Sequence, residues 1–294
     1  MNRLLRIDGD VVRRSIGIMI TALNLLRQSR SAMCGLALVL FVVLVGVAGP
    51  MFLDSPFAMT GDSFNAPSRE STLGTDDLGR DMLSRIAYGA RVSLIVGVSA
   101  ASVSAVIGIV VGSLAGFFGG YVDEFLIRIA EAFQVIPQFF LAILIVALFG
   151  PSISRIVLVI AILSWPSTAR IVRAEFLKMR NLDFVAAARL AGANNATLIF
   201  REILPNTLPP MIVNTSLQIA GAILTEASLS FLGLGDPDIV SWGQLLYNAQ
   251  PFLRDAWWMA VFPGLAISMS ALGFNLLGDG LNDILNPRKR GQVR

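Results

Sequence analysis

VSLIVGVSAASVSAVIGIVVGSLAGFF, running from Val92 to Phe118, decides the fold class: 27 consecutive residues without a charge. An α-helix rises 1.5 Å per residue, so about 20 apolar residues cross the hydrocarbon core of a bilayer. Five further runs accompany it. They are Met33 to Leu53, Ala132 to Gly150, Ile153 to Ala169, a stretch within Pro210 to Leu232 interrupted by Glu226, and Trp257 to Gly278. Arg155 and Pro166 squeeze the fourth from both ends. The expectation is an all-α integral membrane protein with six transmembrane helices. Composition agrees, since 55% of the 294 residues are apolar, 15% are charged and the mean hydropathy is +0.70. Soluble domains carry about 25% charged residues, so this chain lacks the polar surface to cover a water-soluble body.

Absences narrow the chemistry. The chain has no histidine, one cysteine (Cys34) and two lysines, Lys178 and Lys289. No intrachain disulfide, no histidine or multi-cysteine metal site and no Ser-His-Asp triad can be assembled. A phosphate-binding loop requires a Gly-Lys pair, and neither lysine follows a glycine. The chain is therefore expected to bind no nucleotide cofactor and to hydrolyse no ATP alone.

Charge placement sets the orientation. With both termini in the cytoplasm, cytoplasmic segments collect Arg3, Arg6, Arg13, Arg14, Arg27, Arg30, Arg128, Arg170, Arg173, Lys178, Arg180, Arg189, Arg201, Arg288, Lys289, Arg290 and Arg294. These are 17 of the 23 basic residues, as the positive-inside rule demands. The predicted organisation is a cytoplasmic N-terminal segment (1–32), a first span (33–53), an external segment (54–91), a core with five spans (92–281) and a cytoplasmic tail (282–294). The external segment carries six acidic and four basic residues in its 38 positions, too many to lie in lipid. Ile16 to Leu26 is apolar but only 11 residues long, with arginines on both sides. It reads as an interfacial helix rather than a signal peptide.

Within the spans, Gly108, Gly112 and Gly116 form a small-residue ridge that lets another helix approach closely, although glycine is also common in membrane helices. Pro137, Pro166 and Pro263 each remove a backbone hydrogen bond and bend or locally open a helix, as a moving pathway or as ordinary architecture. Glu226 is an acid at membrane depth. It serves the pathway or a gate, or it sits wetted or hydrogen-bonded at the end of a short span.

The segment from Arg170 to Asn206 is too long for a simple connection. Asp183-Phe-Val-Ala-Ala-Ala-Arg-Leu-Ala-Gly192 reads as a short helix with Asp183 as N-cap, a smooth alanine face and Gly192 as C-terminal stop. Asn194 and Asn195 cap a second helix carrying Ile199 and Phe200, before Leu204-Pro205 re-enters the membrane. Such a helix fits a groove on a partner protein. A plain solvated loop would leave Phe184, Leu190, Ile199 and Phe200 without burial.

Ala187-Ala188, then Gly192, then Leu204-Pro205 resemble the Glu-Ala-Ala loop of ATP-binding-cassette importer permeases, whose coupling helix docks on the ATPase subunit. Ala186 stands where that family usually has glutamate, and Glu202 where it often has an apolar residue. Leu73-Gly-Thr-Asp-Asp-Leu-Gly-Arg-Asp-Met-Leu-Ser-Arg85 with Tyr88-Gly-Ala-Arg91 resembles the oligopeptide and dipeptide branch before span two. Ser228-Leu-Ser-Phe-Leu-Gly-Leu-Gly235, Ser241-Trp-Gly243, Phe262-Pro-Gly264, Phe274-Asn-Leu-Leu-Gly-Asp279 and Asp283-Ile-Leu-Asn-Pro287 resemble that branch further on. Asn282 departs from the arginine usual there. The resemblance covers Ser31 to the C-terminus and is closest to the second (C-type) permease of the pair.

The resemblance implies a multi-pass subunit of a bacterial inner membrane. Its expected partners are a homologous second permease, two ATPase subunits that use ATP and Mg, and a solute-binding protein, with no nucleic acid. Peptides are the default solute; nickel, metal chelates, glutathione and opine-like compounds are the alternatives. A proton-coupled secondary transporter would need a relay of intramembrane acids, for which only Glu226 is available.

Overall fold

The computed structural model describes residues 29–285. Read along the chain, its helices are α1 (Arg30–Phe52), α2 (Met82–Phe118), α3 (Gly120–Val135), α4 (Gln138–Phe149), α5 (Ile153–Met179), α6 (Asp183–Leu190), the single turn α7 (Asn195–Thr197), α8 (Leu204–Leu229), α9 (Trp242–Ala249) and α10 (Trp258–Leu285). Residues Leu198–Ile203 wind in π register and join α7 to α8, and Ser230–Leu234 extend α8 in the same register. No strand occurs among the described residues. The expected interfacial stretch at 16–26 and the tail from 286 onward lie outside them.

Among the described residues, five helices are long and apolar enough to cross a bilayer: α1, α2, α5, the rod from Asn195 to Leu234, and α10. The run at 132–150 is not one straight span, which corrects the expectation. The helix stops at Val135, resumes at Gln138 and turns through 78° between the two. Pro137 is the cause. It donates no N–H and forces the residue before it out of helical conformation, and Ile136 is extended (φ −92°, ψ 133°). Pro166 and Pro263 lie inside helices that run on through them.

A second difference concerns α2. It starts at Met82, ten residues before the charge-free run, so the stretch containing Arg85 and Arg91 is helical. Asp81 caps it, its carboxylate accepting from the Ser84 N–H at 2.8 Å.

Close packing follows the small residues. A methyl group on Gly108 would lie 2.5 Å from Thr168 Cβ, and one on Gly116 2.5 Å from Phe176 Cβ, while Gly112 abuts the Ala169 carbonyl. The glycine ridge of α2 is thus the bed for α5. In lipid this contact depends on backbone approach rather than on water exclusion. Gly35 of α1 and Gly273 of α10 perform the same service for each other. Neutral hydrogen bonds add a second kind of link: Ser104 on α2 donates to Gln218 on α8 (3.0 Å), and the Gln218 amide donates to Ser167 (3.1 Å) and Thr168 (2.6 Å) on α5.

The bundle therefore has two distinguishable ends. One, the loop end, carries α6 and the turn at Gly119. The other, the cap end, carries residues 53–81 and 235–257.

Candidate functional site

At the loop end, α6 forms where expected but is capped differently. Leu182, not Asp183, is the extended N-cap residue, and no side chain caps the helix. Asp183 is the first helical residue, where a carboxylate still meets the positive end of the helix dipole. The C-terminal stop is as predicted. Gly192 has φ +86°, its N–H bonds to the Arg189 carbonyl (3.1 Å), and the Ala193 N–H reaches back to Ala188 (3.1 Å). That pair of bonds is the Schellman arrangement, which satisfies carbonyls that the helix end leaves open.

One residue anchors α6. Val185 is buried in a cluster with Phe117 of α2, Val172 and Phe176 of α5, and Leu198, Ile199 and Ile203 of the π turn. The remaining face points outward: Ala186, Ala187 and Ala191 are exposed, Phe184 is 38% exposed and Leu190 91% exposed. Of the four apolar residues that a solvated loop would waste, Ile199 is buried within the chain, whereas Phe184, Leu190 and Phe200 are not. Ala188 is half-buried at the edge of the cluster.

Asn194 caps the next segment, its side chain accepting from the Thr197 N–H at 2.8 Å. The helix then continues into the membrane without a break. Pro205 has no N–H to return to the preceding turn, and residues Leu198–Ile203, ending two positions before it, take π register, the wider winding that accommodates a missing bond. Leu204 packs on the α6 cluster while Pro205 is exposed.

Two arginines that the sequence offered only as topology markers brace this platform. Arg173 of α5 holds Asp123 of α3 through both of its oxygens (2.5 and 2.7 Å). Arg180 donates to the Gly116 carbonyl (2.9 Å) and the Phe117 carbonyl (3.2 Å), closing the open end of α2. Their separations in sequence, 50 and 64 residues, leave no local signal by which to find them.

Glu226 lies at the cap end of α8 and is 2% exposed. One carboxylate oxygen accepts from Ser230 (2.8 Å), the other from Ser93 of α2 (3.3 Å). The carboxylate thus joins α8 and its extension to the neighbouring helix α2 by hydrogen bonds. Beside it, α9 packs so tightly that a methyl group on Gly243 would lie 2.6 Å from the Ala227 carbonyl, and the fully buried Trp242 donates to the Ile86 carbonyl (3.0 Å).

Above this sits a compact charged turn. Asp76 is completely buried and accepts from the backbone N–H groups of Leu78 (3.0 Å) and Arg80 (2.9 Å), from Arg80 Nε (2.6 Å) and from Arg85. Gly74 and Gly79, at φ +80° and +73°, make the turn sharp enough to wrap the carboxylate. Burial pulls the Arg80 guanidinium below its usual range, with Asp77 beside it acting in the opposite direction. Trp258 of α10 donates to the Thr75 carbonyl (3.0 Å) and fastens the turn to the bundle.

Residues 108–291 match the family described as binding-protein-dependent transport system inner membrane component. The chain belongs to this family. Among relatives of this permease, the di/tripeptide transport system permease protein DppC of Pseudomonas aeruginosa (strain UCBPP-PA14) is 44% identical over 217 residues, 74% of this chain and 72% of that one. The dipeptide transport system permease protein DppC of Alkalihalophilus pseudofirmus is 39% identical, covering 92% of this chain and 90% of its own. The oligopeptide transport system permease protein OppC of Bacillus subtilis (strain 168) is 35% identical, covering 95% and 93%. The matched residues contain the glycine ridge, α6 and Glu226, whereas the Asp76 turn lies before them.

Proposed function

We propose that this permease forms half of the translocation pathway of an ATP-binding-cassette importer for di- or oligopeptides. A solute-binding protein delivers the peptide, and a second, homologous permease completes the path. Two partner ATPase subunits bind and hydrolyse ATP with Mg. The observation that carries the reading is the outward face of α6. It is a short helix held by one buried valine, with Phe184 and Leu190 left uncovered by the rest of the chain. A helix like this stores no energy and binds no nucleotide. It transmits force, because the anchor couples any push on α6 directly to the loop-end turns of α2, α5 and α8.

The proposed coupling contact comprises Asp183, Ala187, Ala188 and Gly192, with Leu204 and Pro205 carrying motion into α8. The loop end then faces the cytoplasm, both termini with it, and six crossings result when α3 and α4 count as one broken span. The cap end faces outward. There a cleft of about 470 Å³ between the Asp76 turn and α9, lined by Arg80, Tyr247 and Asn248 among others, is the surface that receives the binding protein. Glu226 ties the α8 extension to α2 just beneath it, and acts as a gate contact rather than as a lining residue. The transport cycle is alternating access, with ATPase closure pulling on α6 and rocking one half of the membrane body against the other.

Reconstitution tests this. Peptide uptake should appear only when the second permease, the ATPases and the binding protein are present, and should stop without ATP. Dissipating a proton gradient should change nothing. Uptake by this chain alone, driven by an imposed proton gradient, would reverse the assignment and put Glu226 at its centre.

A further inference from the structure

The break between α3 and α4 lies at membrane depth. The Gln138 side-chain amide donates to the Leu163 carbonyl at 2.5 Å, which sets it level with residue 163 of α5. That residue is ten positions from the α5 start at Ile153, or about 15 Å from the cap end. The α4 helix has 12 residues and reaches the same end at Gly150, whose carbonyl accepts from Arg155 (3.1 Å).

A helix end leaves its last four carbonyls without intrahelical partners. Within hydrocarbon such groups are tolerated only where protein buries them or water reaches them. Here Ile136 and Pro137 are both exposed on the chain, and the Gln138 amide is already engaged with α5. Lipid cannot be what covers this break.

Beside it lies a half-open cavity of about 170 Å³, lined by Gln138, Phe139, Ala142, Leu163, Ser164 and Thr225 among others. Three polar residues, one each from α4, α5 and α8, converge on it, and every lining residue is uncharged. Thr225 donates to the Gly221 carbonyl (2.8 Å), so its oxygen lone pairs are what it offers the cavity. A neutral site combining a carboxamide and hydroxyls matches a peptide bond, which also carries one donor and one acceptor. It does not match a carboxylate or an ammonium, whose desolvation needs an opposite charge.

We propose that this cavity is a subsite of the solute path that takes a backbone amide of the transported peptide as it passes mid-membrane. The inference rests on the importer reading above. Because it recognises a group common to all peptides, the subsite passes peptides irrespective of their side chains.

The test uses the complete complex in proteoliposomes, with Cys34→Ser removing the native thiol. Thr225→Cys and, separately, Gln138→Cys are exposed to a charged, membrane-impermeant methanethiosulfonate, with and without ATP and vanadate. Reaction is expected in at least one of the two states, and it should be lost when a transported peptide saturates the system. No reaction in either state would mean that the second permease seals the break, and would overturn the proposal. Reaction that peptide does not suppress would overturn it equally.

Thr225→Val supplies a second readout. Loss of one neutral hydrogen bond should raise the KM for uptake about three- to tenfold, with Thr225→Ser restoring it. An unaltered KM counts against the subsite. ATP-driven peptide uptake by the parent complex is measured in the same vesicles. If it persists while the thiols stay unreactive, only the subsite falls; if it is absent, the importer reading falls with it.

Discussion

The two ends of this permease invert the usual relation between polarity and burial. The cap end buries a charge that it satisfies itself: Asp76 is wholly buried and engaged by two arginines and two backbone N–H groups. The loop end displays apolar side chains, yet they are left open, with Leu190 91% exposed. A buried charge without a partner costs several kcal/mol, so the chain must complete that arrangement internally. An exposed leucine costs little in the free subunit and becomes favourable when another protein covers it. The Asp76 carboxylate is satisfied by its own chain, whereas the apolar side chains of α6 are left uncovered by theirs.

The strongest way to break this contrast is to unpair the cap. Asp76→Ala leaves Arg85, 2% exposed, without its carboxylate. The expected loss is about 3–5 kcal/mol, enough to abolish assembly of the complex, as read by detergent-resistant complex yield. If Asp76→Ala assembles normally, the cap is not a self-sufficient unit.

Next in size is the ridge that seats α5 on α2. Gly112→Leu drives a side chain into the Ala169 carbonyl and Val172. Overpacking of this kind costs about 1–3 kcal/mol or more, and α2 and α5 should separate, as a pair of cysteines engineered across that interface would report. Unchanged cross-linking would show that the close approach is dispensable.

Gly192→Leu is smaller and more selective. A methyl group there would meet nothing within 4 Å, so the penalty is only that of φ +86°, about 1–2 kcal/mol, confined to the α6 stop. The complex should assemble and hydrolyse ATP, but with uptake uncoupled from hydrolysis. Normal transport in an assembled complex would remove α6 from the coupling role.

Leu190→Ser is the gentlest change. Thermal stability of the subunit should stay within about 0.5 kcal/mol, because the side chain packs on nothing of its own chain. Retention of the ATPase subunits during purification should fall. Finally, Ser63→Cys in the Cys34→Ser background should react with an impermeant reagent from outside the cell and leave stability alone, since Ser63 is exposed. Reaction only from the cytoplasmic side would invert the orientation of the two ends.

Several features could be read directly from the chain, and each is local. The glycine ridge, the α6 boundaries and the Gly192 stop depend on residues within one or two turns of each other. Asp183 shows the limit of that kind of reading, since its position next to the helix start was evident but the cap itself fell one residue earlier, at Leu182. The third crossing shows another limit. Hydropathy averages over a window and cannot see that Pro137 splits it into two helices at 78°.

Length, the absence of charge and the spacing of glycine are additive properties of the chain, and they set the membrane class, the number of apolar runs and the short α6 helix without help from packing. Which hydroxyls would meet Glu226, that Arg85 would be buried against Asp76, and that Gln138, Ser164 and Thr225 would share one cavity are facts of another sort. Each joins residues from helices far apart in sequence, whose relative rotation depends on how the glycine ridges seat. In a membrane, where apolar residues fit any neighbour equally well, that seating alone selects which polar groups find one another.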